Sequence, residues 1–169
     1  MTAPSEAVVA GIDPGKTGAL AIVFPDGSVQ CLDVPRIKLK GKDKPAWSQW
    51  EQEWGDTLGL VGVDMVVIED VSGGNQQGRQ TGVTSAFNFG GTLRFAHALA
   101  LSARPRPAVH FVTPSVWKGK LGLLNSDKGA SREKCRNLYP RAVPLLTRVK
   151  DDGRAEAVLL AHYGRKYLC

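Results

Sequence analysis

Two apolar runs in this chain each end on an acid. AVVAGID, residues 7–13, closes at Asp13 just before Pro14-Gly15, and VDMVVIE, residues 63–69, closes at Glu69. Apolar, β-branched runs of this length that stop at a turn signal form buried strands. A buried strand ending in a carboxylate places that carboxylate at the rim of a sheet. Both features restrict the chain to architectures in which central strands are covered and their ends are open.

The rest of the sequence fills in that sheet. Residues 18–24 (GALAIVF) and 28–34 read as two more strands, separated by the turn Pro25-Asp26-Gly27, so the first three strands form an antiparallel meander. Residues 36–44, RIKLKGKDK, read as a basic connection. Trp47, Trp50, Trp54, Leu58 and Val61 recur at helical spacing. Such a stripe is a helix face laid on the sheet, and base stacking is the alternative use of its indoles. Residues 72–82, SGGNQQGRQTG, lack any apolar side chain and read as a loop. An Ala-rich helix follows over 84–101, interrupted by Gly90-Gly91, and then a strand over 108–112. Thr113-Pro114 opens a short helix with Thr as N-cap. A basic helix covers 128–139, a short and partly extended piece 140–146, and the last helix 152–167. This order predicts a single α/β domain over 1–169, with a mixed five-stranded sheet and helices on both faces.

Charge is divided unevenly along the chain. Residues 1–102 carry 8 Lys/Arg against 11 Asp/Glu, and residues 103–169 carry 14 against 5, so a net −3 is followed by a net +9. A basic C-terminal part fits a polyanionic partner, most simply nucleic acid. Hydrophobic content of 43% is globular, and the start MTAPSEAVVAG has neither the basic end nor the apolar stretch of a signal peptide. Cys31, Cys135 and Cys169 form no CxxC, so reduced thiols and a cytoplasmic location are expected.

The segment GIDPGKTG, residues 11–18, contains Gly-Lys-Thr, the tail of a phosphate-binding loop. The spacing does not fit. Such a loop has four residues between its first Gly and Gly15-Lys16, so that Gly would have to stand at position 10, which is Ala10. Such a loop also leads into a helix, and here a β-branched strand follows. Asp13 is the residue with chemical potential. It either turns back on its own backbone as an Asx turn or points out of the sheet toward a cation. If the strand ending in Glu69 is its neighbour, two carboxylates meet, and like charges so placed repel unless a cation lies between them.

A second pair of acids opens the last helix, in KDDGRAEAVLLAHYG. Asp152 and Glu156 are four apart and share one helix face, beside the apolar stripe of Ala155, Val158, Leu159 and His162. Asp151 or Asp152 also suits the helix N-cap. Four carboxylates from two strands and a helix suit a pair of Mg²⁺ ions, which bind hard oxygen donors. Two such ions activate water and steady a leaving oxygen in phosphodiester cleavage.

Taken in order, GIDPGKTGALAI, VVIED, VTPSVWKGKLGL and DDGRAEAVLLAHYG resemble the RuvC-type Holliday-junction resolvases of the ribonuclease H-like superfamily. The last segment is especially similar to that of the chloroplast resolvase and its bacterial and phage relatives. The resemblance implies a ribonuclease H-like fold and a homodimer that binds four-way DNA junctions. It implies paired symmetric nicks with 5′-phosphate and 3′-hydroxyl ends, supported by two Mg²⁺ ions, with Mn²⁺ as substitute. Catalytic and metal-binding acids map to Asp13, Glu69, Asp152 and Glu156. RuvC proper has two Asp three apart in its last helix, and Gly153 breaks that pattern here; the spacing of four fits the chloroplast type, with Asp152 favoured over Asp151. DNA contacts map to Lys118 and Lys120 after the TPS motif, to Lys128, Arg132 and Lys134 on the next helix, and to Arg79, Phe87 and Phe89 around the polar loop. Other readings stay open at this point: a related nuclease acting on RNA or other branched DNA, an actin-like ATPase domain (which needs far more chain), and a catalytically silent DNA-binding scaffold.

Overall fold

The computed structural model of the chain describes residues 6–71, 83–127 and 129–169, with backbone alone for 83–86. Five strands form the main sheet: β1 (Val9–Asp13), β2 (Ala19–Val23), β3 (Val29–Asp33), β6 (Met65–Glu69) and β7 (Ala108–Val112). Their order is β3-β2-β1-β6-β7. The first three pair antiparallel, while β1–β6 and β6–β7 pair parallel, so the sheet is mixed as the sequence pattern predicts. The basic stretch after β3 is a second, two-stranded sheet made of β4 (Arg36–Leu39) and β5 (Lys42–Pro45), where the sequence suggested only a connection. Its turn uses Lys40 and Gly41, both at positive φ, a backbone state that Gly adopts without cost and Lys does not.

Strand parity sorts the core into two layers. Val9, Met65 and Val67 face one way with Ala19, Ala21 and Val23, and Ala10, Ile12, Val66 and Ile68 face the other with Leu20 and Ile22. Both layers are covered, which is why the strands are apolar without alternation. The second layer is closed by α1 (Trp47–Trp50), a π turn (Glu51–Gly55), α2 (Asp56–Val61) and the long α3 (Val83–Ser102). Trp50, Trp54 and Leu58 are fully buried there, so these indoles are core, while Trp47 stacks on Trp50 at the margin and stays partly open.

The first layer is closed by α4 (Pro114–Lys120), α5 (Ala130–Leu138) and α6 (Asp152–Tyr167). Thr113 precedes α4 in extended conformation, but its hydroxyl lies near that of Ser115 instead of capping a backbone N–H. Residues 140–145 form a 3₁₀ turn, more compact than the partly extended piece expected. α6 lies directly on β1, and glycine permits it. A Cβ on Gly11 would stand 2.0 Å from the Ala157 carbonyl oxygen, and one on Gly153 would stand 1.9 Å from that of Thr17. An ionic network ties the start of α6 to the edge strand: Asp33 accepts from Arg154 at 2.5 Å and from Arg148 at 3.1 Å. No helix among the described residues is long and apolar enough to cross a membrane.

Candidate metal centre

Parity and register bring the two strand acids together. Asp13 follows Gly11 on the α6 side of β1, and Glu69 follows Val67 on the same side of β6. The parallel pairing sets Ile12 against Ile68, so the next residues of the two strands are neighbours at one end of the sheet. Glu156, one turn into α6, reaches the same place. Asp13, Glu69 and Glu156 each present a carboxylate oxygen within 4.8 Å of the others.

Each member is oriented by a different partner. Asp13 Oδ1 accepts from the Gly15 N–H at 2.9 Å, so the Asx turn and the cluster coexist. A carboxylate has lone pairs enough for both. Glu69 is buried, and its Oε1 accepts from Trp117 Nε1 at 2.9 Å. Glu156 Oε1 accepts from Lys118 Nζ at 2.9 Å and Ser131 Oγ at 3.2 Å. Trp117 and Ser131 went unremarked in the sequence. Trp117 is one residue from a noted lysine, and its helix α4 turns the indole inward. A Trp on the buried side of a helix facing an acid-ended strand was the available signal.

Proximity and burial show in the proton affinities. Burial lifts the Asp13 carboxyl from 3.8 to about 6; the Gly15 N–H pulls it back, the Glu156 charge pushes further, and Lys118 opposes. Burial also lifts Glu69 from 4.5 to about 7, with the Asp13 charge second, against the Trp117 hydrogen bond and Lys118. Neither strand acid has an ion-pair partner among the described residues. Three hard oxygen donors, crowded and in part desolvated, fit a divalent cation such as Mg²⁺.

Asp152 stands apart from the three. Its Oδ1 accepts from Arg132 Nε at 2.6 Å, and the same guanidinium donates to the Arg148 carbonyl at 3.2 Å. Asp151 has a different occupation. It is buried and takes the Arg148 backbone N–H at 2.7 Å and the Arg148 Nε at 2.8 Å. Burial alone would raise its carboxyl, but the Arg148 contacts outweigh that and hold it below the usual range. Asp151 is thus an anchor of the turn before α6, and Asp152 is the acid that shares the helix face of Glu156.

The expected DNA contacts divide. Lys118 and Arg132 sit on the helix-borne acids, Glu156 and Asp152. Lys120 lies over the Tyr167 ring at 5.7 Å, at the end of α4. Lys134 is half-buried on α5. Phe87 is 80% exposed at the start of α3, whereas Phe89 packs against the second core layer. Arg79 and Lys128 lie outside the described residues. His162 is held by Tyr139, whose hydroxyl is 2.9 Å from Nδ1, and burial lowers it to about 4.

Neither a protein-family model nor a curated protein matches the sequence. Solved structures do match. The Thermus thermophilus RuvC structure is 21% identical over 94% of this chain and 95% of that one, with TM-score 0.57. T. thermophilus RuvC in complex with Holliday junction substrate is 19% identical over 92% and 90%, with TM-score 0.60. The fold is that of RuvC. At these identities the likeness fixes the ribonuclease H-like architecture of the mixed sheet and its helices. The fowlpox virus Holliday junction resolvase also aligns, at 13% identity over 96% of this chain and TM-score 0.47.

Proposed function

We propose that the protein is a divalent-metal-dependent endonuclease that resolves four-way DNA junctions by paired symmetric nicks, acting as a homodimer. The observation that carries this reading is the convergence of Asp13, Glu69 and Glu156 at one sheet end in a RuvC fold. Bound Mg²⁺ supplies charge that activates a water and steadies the leaving oxygen of a phosphodiester.

The chain's own residues account for the rest. Gly15 and Trp117 fix the two strand carboxylates, so their oxygens face the centre without further ordering. Lys118 and Arg132 neutralise the helix acids in the free protein. A DNA phosphate competes for both cations, since Arg and Lys bind phosphate oxygens as readily as carboxylates. Arg132 then gives up Asp152, which completes the four-acid set. The basic C-terminal part, net +9 over residues 103–169, supplies attraction for the backbone, and this attraction weakens with salt.

Cleavage of a synthetic four-way junction with Mg²⁺, mapped on all four strands, tests the reading against duplex, flap and RNA–DNA hybrid controls. The expected result is a pair of symmetric nicks in opposing strands of the junction and intact duplex. Preferential cutting of hybrid or flap would replace the junction with another substrate of the same chemistry. No cutting of any of them would remove the enzymatic reading.

A further inference from the structure

The β4–β5 hairpin has no place in either core layer, yet it carries apolar side chains. Ile37 is 45% exposed and Leu39 54% exposed. The register sets Ile37 opposite Lys44 and Leu39 opposite Lys42, so two aliphatics and two lysines share one face. A lone two-stranded ribbon is marginal in water. This one is held at its base: Asp43 pairs with Arg36 at 3.1 Å and with Lys16 at 3.3 Å, and the Ala46 N–H donates to the Pro35 carbonyl at 3.0 Å. Lys16 lies three residues beyond Asp13, so the hairpin is tethered to the loop that leaves the candidate metal centre.

Between the hairpin and the start of α3 lies a cleft of about 740 Å³. Leu39, Lys42, Lys44, Trp47, Phe87 and Asn88 line it. Its walls are largely apolar and two of them are aromatic. No acid lines it, and none of Lys38, Lys40, Lys42 and Lys44 has an ion-pair partner among the described residues. An apolar, aromatic slot with a free cationic rim fits a ligand that offers flat π faces and a chain of negative charges. Duplex DNA hides its base faces in the stack, and an unpaired strand exposes them.

We propose that this cleft is a binding site for an unpaired nucleic-acid strand, with a base against Phe87 and phosphates on Lys42 and Lys44. The inference rests on the nuclease reading for why such a strand is present. An acidic, aromatic peptide is the rival occupant by chemistry, and residues 72–82, which lead into α3 in the sequence, are the rival occupant from the chain itself.

The test uses the full chain and a short, fluorescently labelled single-stranded DNA of mixed sequence, read by anisotropy across a salt series. Lys42→Ala with Lys44→Ala is expected to weaken binding about tenfold and to flatten the salt slope by about 0.7 per lysine. Phe87→Ala is expected to weaken it about tenfold with an unchanged slope, as loss of stacking does. Lys38→Ala removes the same charge from the opposite face of the hairpin and leaves binding near wild type. These side chains are exposed, so the variants fold. Equal loss on Lys38→Ala, or no loss with Lys42→Ala, Lys44→Ala and Phe87→Ala, overturns the proposal. So does binding of an acidic aromatic peptide with the same lysine dependence when the single strand does not bind. Binding gained only after residues 72–82 are replaced by a Gly-Ser linker overturns it in favour of the chain's own segment. Lysine-dependent strand binding without any junction cleavage keeps the cleft and removes the nuclease reading; cleavage that is indifferent to all three substitutions does the reverse.

Discussion

The strand-borne and helix-borne acids of the candidate centre are built differently. Asp13 and Glu69 sit at the ends of central strands, oriented by neutral donors, and burial raises both carboxyls. Asp152 and Glu156 sit near the start of α6, each neutralised by a cation from a neighbouring helix. The first pair is rigid and electrostatically unsatisfied; the second is satisfied and held by long side chains able to let go. Under the proposed function the contrast becomes a division of labour, in which the strands fix a cation and the helix responds to the substrate.

The largest expected effect falls on the strand pair. Asp13→Asn should lower metal-dependent cleavage by about 10³-fold, because charge stabilisation at such centres is several kcal/mol and each 1.36 kcal/mol is tenfold. Gel-resolved junction cleavage measures it, and DNA binding should survive. If Asp13→Asn cuts at the wild-type rate, the strand acids have no special role and the contrast collapses.

Next comes the scaffold that joins the two pairs. Gly11→Ala pushes a Cβ into the α6 backbone and should destabilise the protein by about 3 kcal/mol or more. Chemical denaturation measures the loss. A neutral result would mean that α6 need not lie so close, and that the position of Glu156 is not set by β1.

Glu69→Gln sharpens the contrast at intermediate size. A carboxyl raised to about 7 from 4.5 stabilises the metal-free fold below pH about 4.5, and that contribution disappears as pH rises through about 7. Gln keeps the oxygen that Trp117 needs and carries no charge. The variant should therefore gain over wild type between those pH values, reaching about 1–3 kcal/mol at neutral pH without metal. Thermal melts across pH measure this, and Mg²⁺ should erase the difference by stabilising wild type alone. The smallest effect belongs to the helix pair. Arg132→Gln frees Asp152 and should tighten divalent-metal binding by about tenfold in the absence of DNA, the scale of changes in partners of ligating carboxylates. An unchanged affinity would make the Arg132 pair purely structural.

Much of the architecture was legible because burial on both faces leaves a simple mark. The runs ending at Asp13 and Glu69 contain little but apolar residues, and strand parity then carries both acids to one side. The hairpin was not legible: RIKLKGKDK has Lys where strands favour β-branched residues, and Asp43 supports its pairing through Arg36 across the hairpin and through Lys16 from a separate loop. The separate duties of Asp151 and Asp152 were equally hidden. Adjacent identical residues differ only in which way the turn before α6 points them, and Arg148 and Arg132 decide that in three dimensions. Trp117 was overlooked for a related reason, since a helical indole reads as core until its N–H partner is seen.

The central claim is that Asp13, Glu69 and Glu156 together hold a divalent cation. Calorimetric titration of Mn²⁺ into the intact chain, compared with the triple substitution Asp13→Asn, Glu69→Gln and Glu156→Gln, tests it most directly. The account predicts stoichiometric binding by the wild type near neutral pH, weakened as the strand carboxyls protonate, and none by the triple variant. Equal heats from the two folded proteins, or a wild type that takes up no metal, would contradict it.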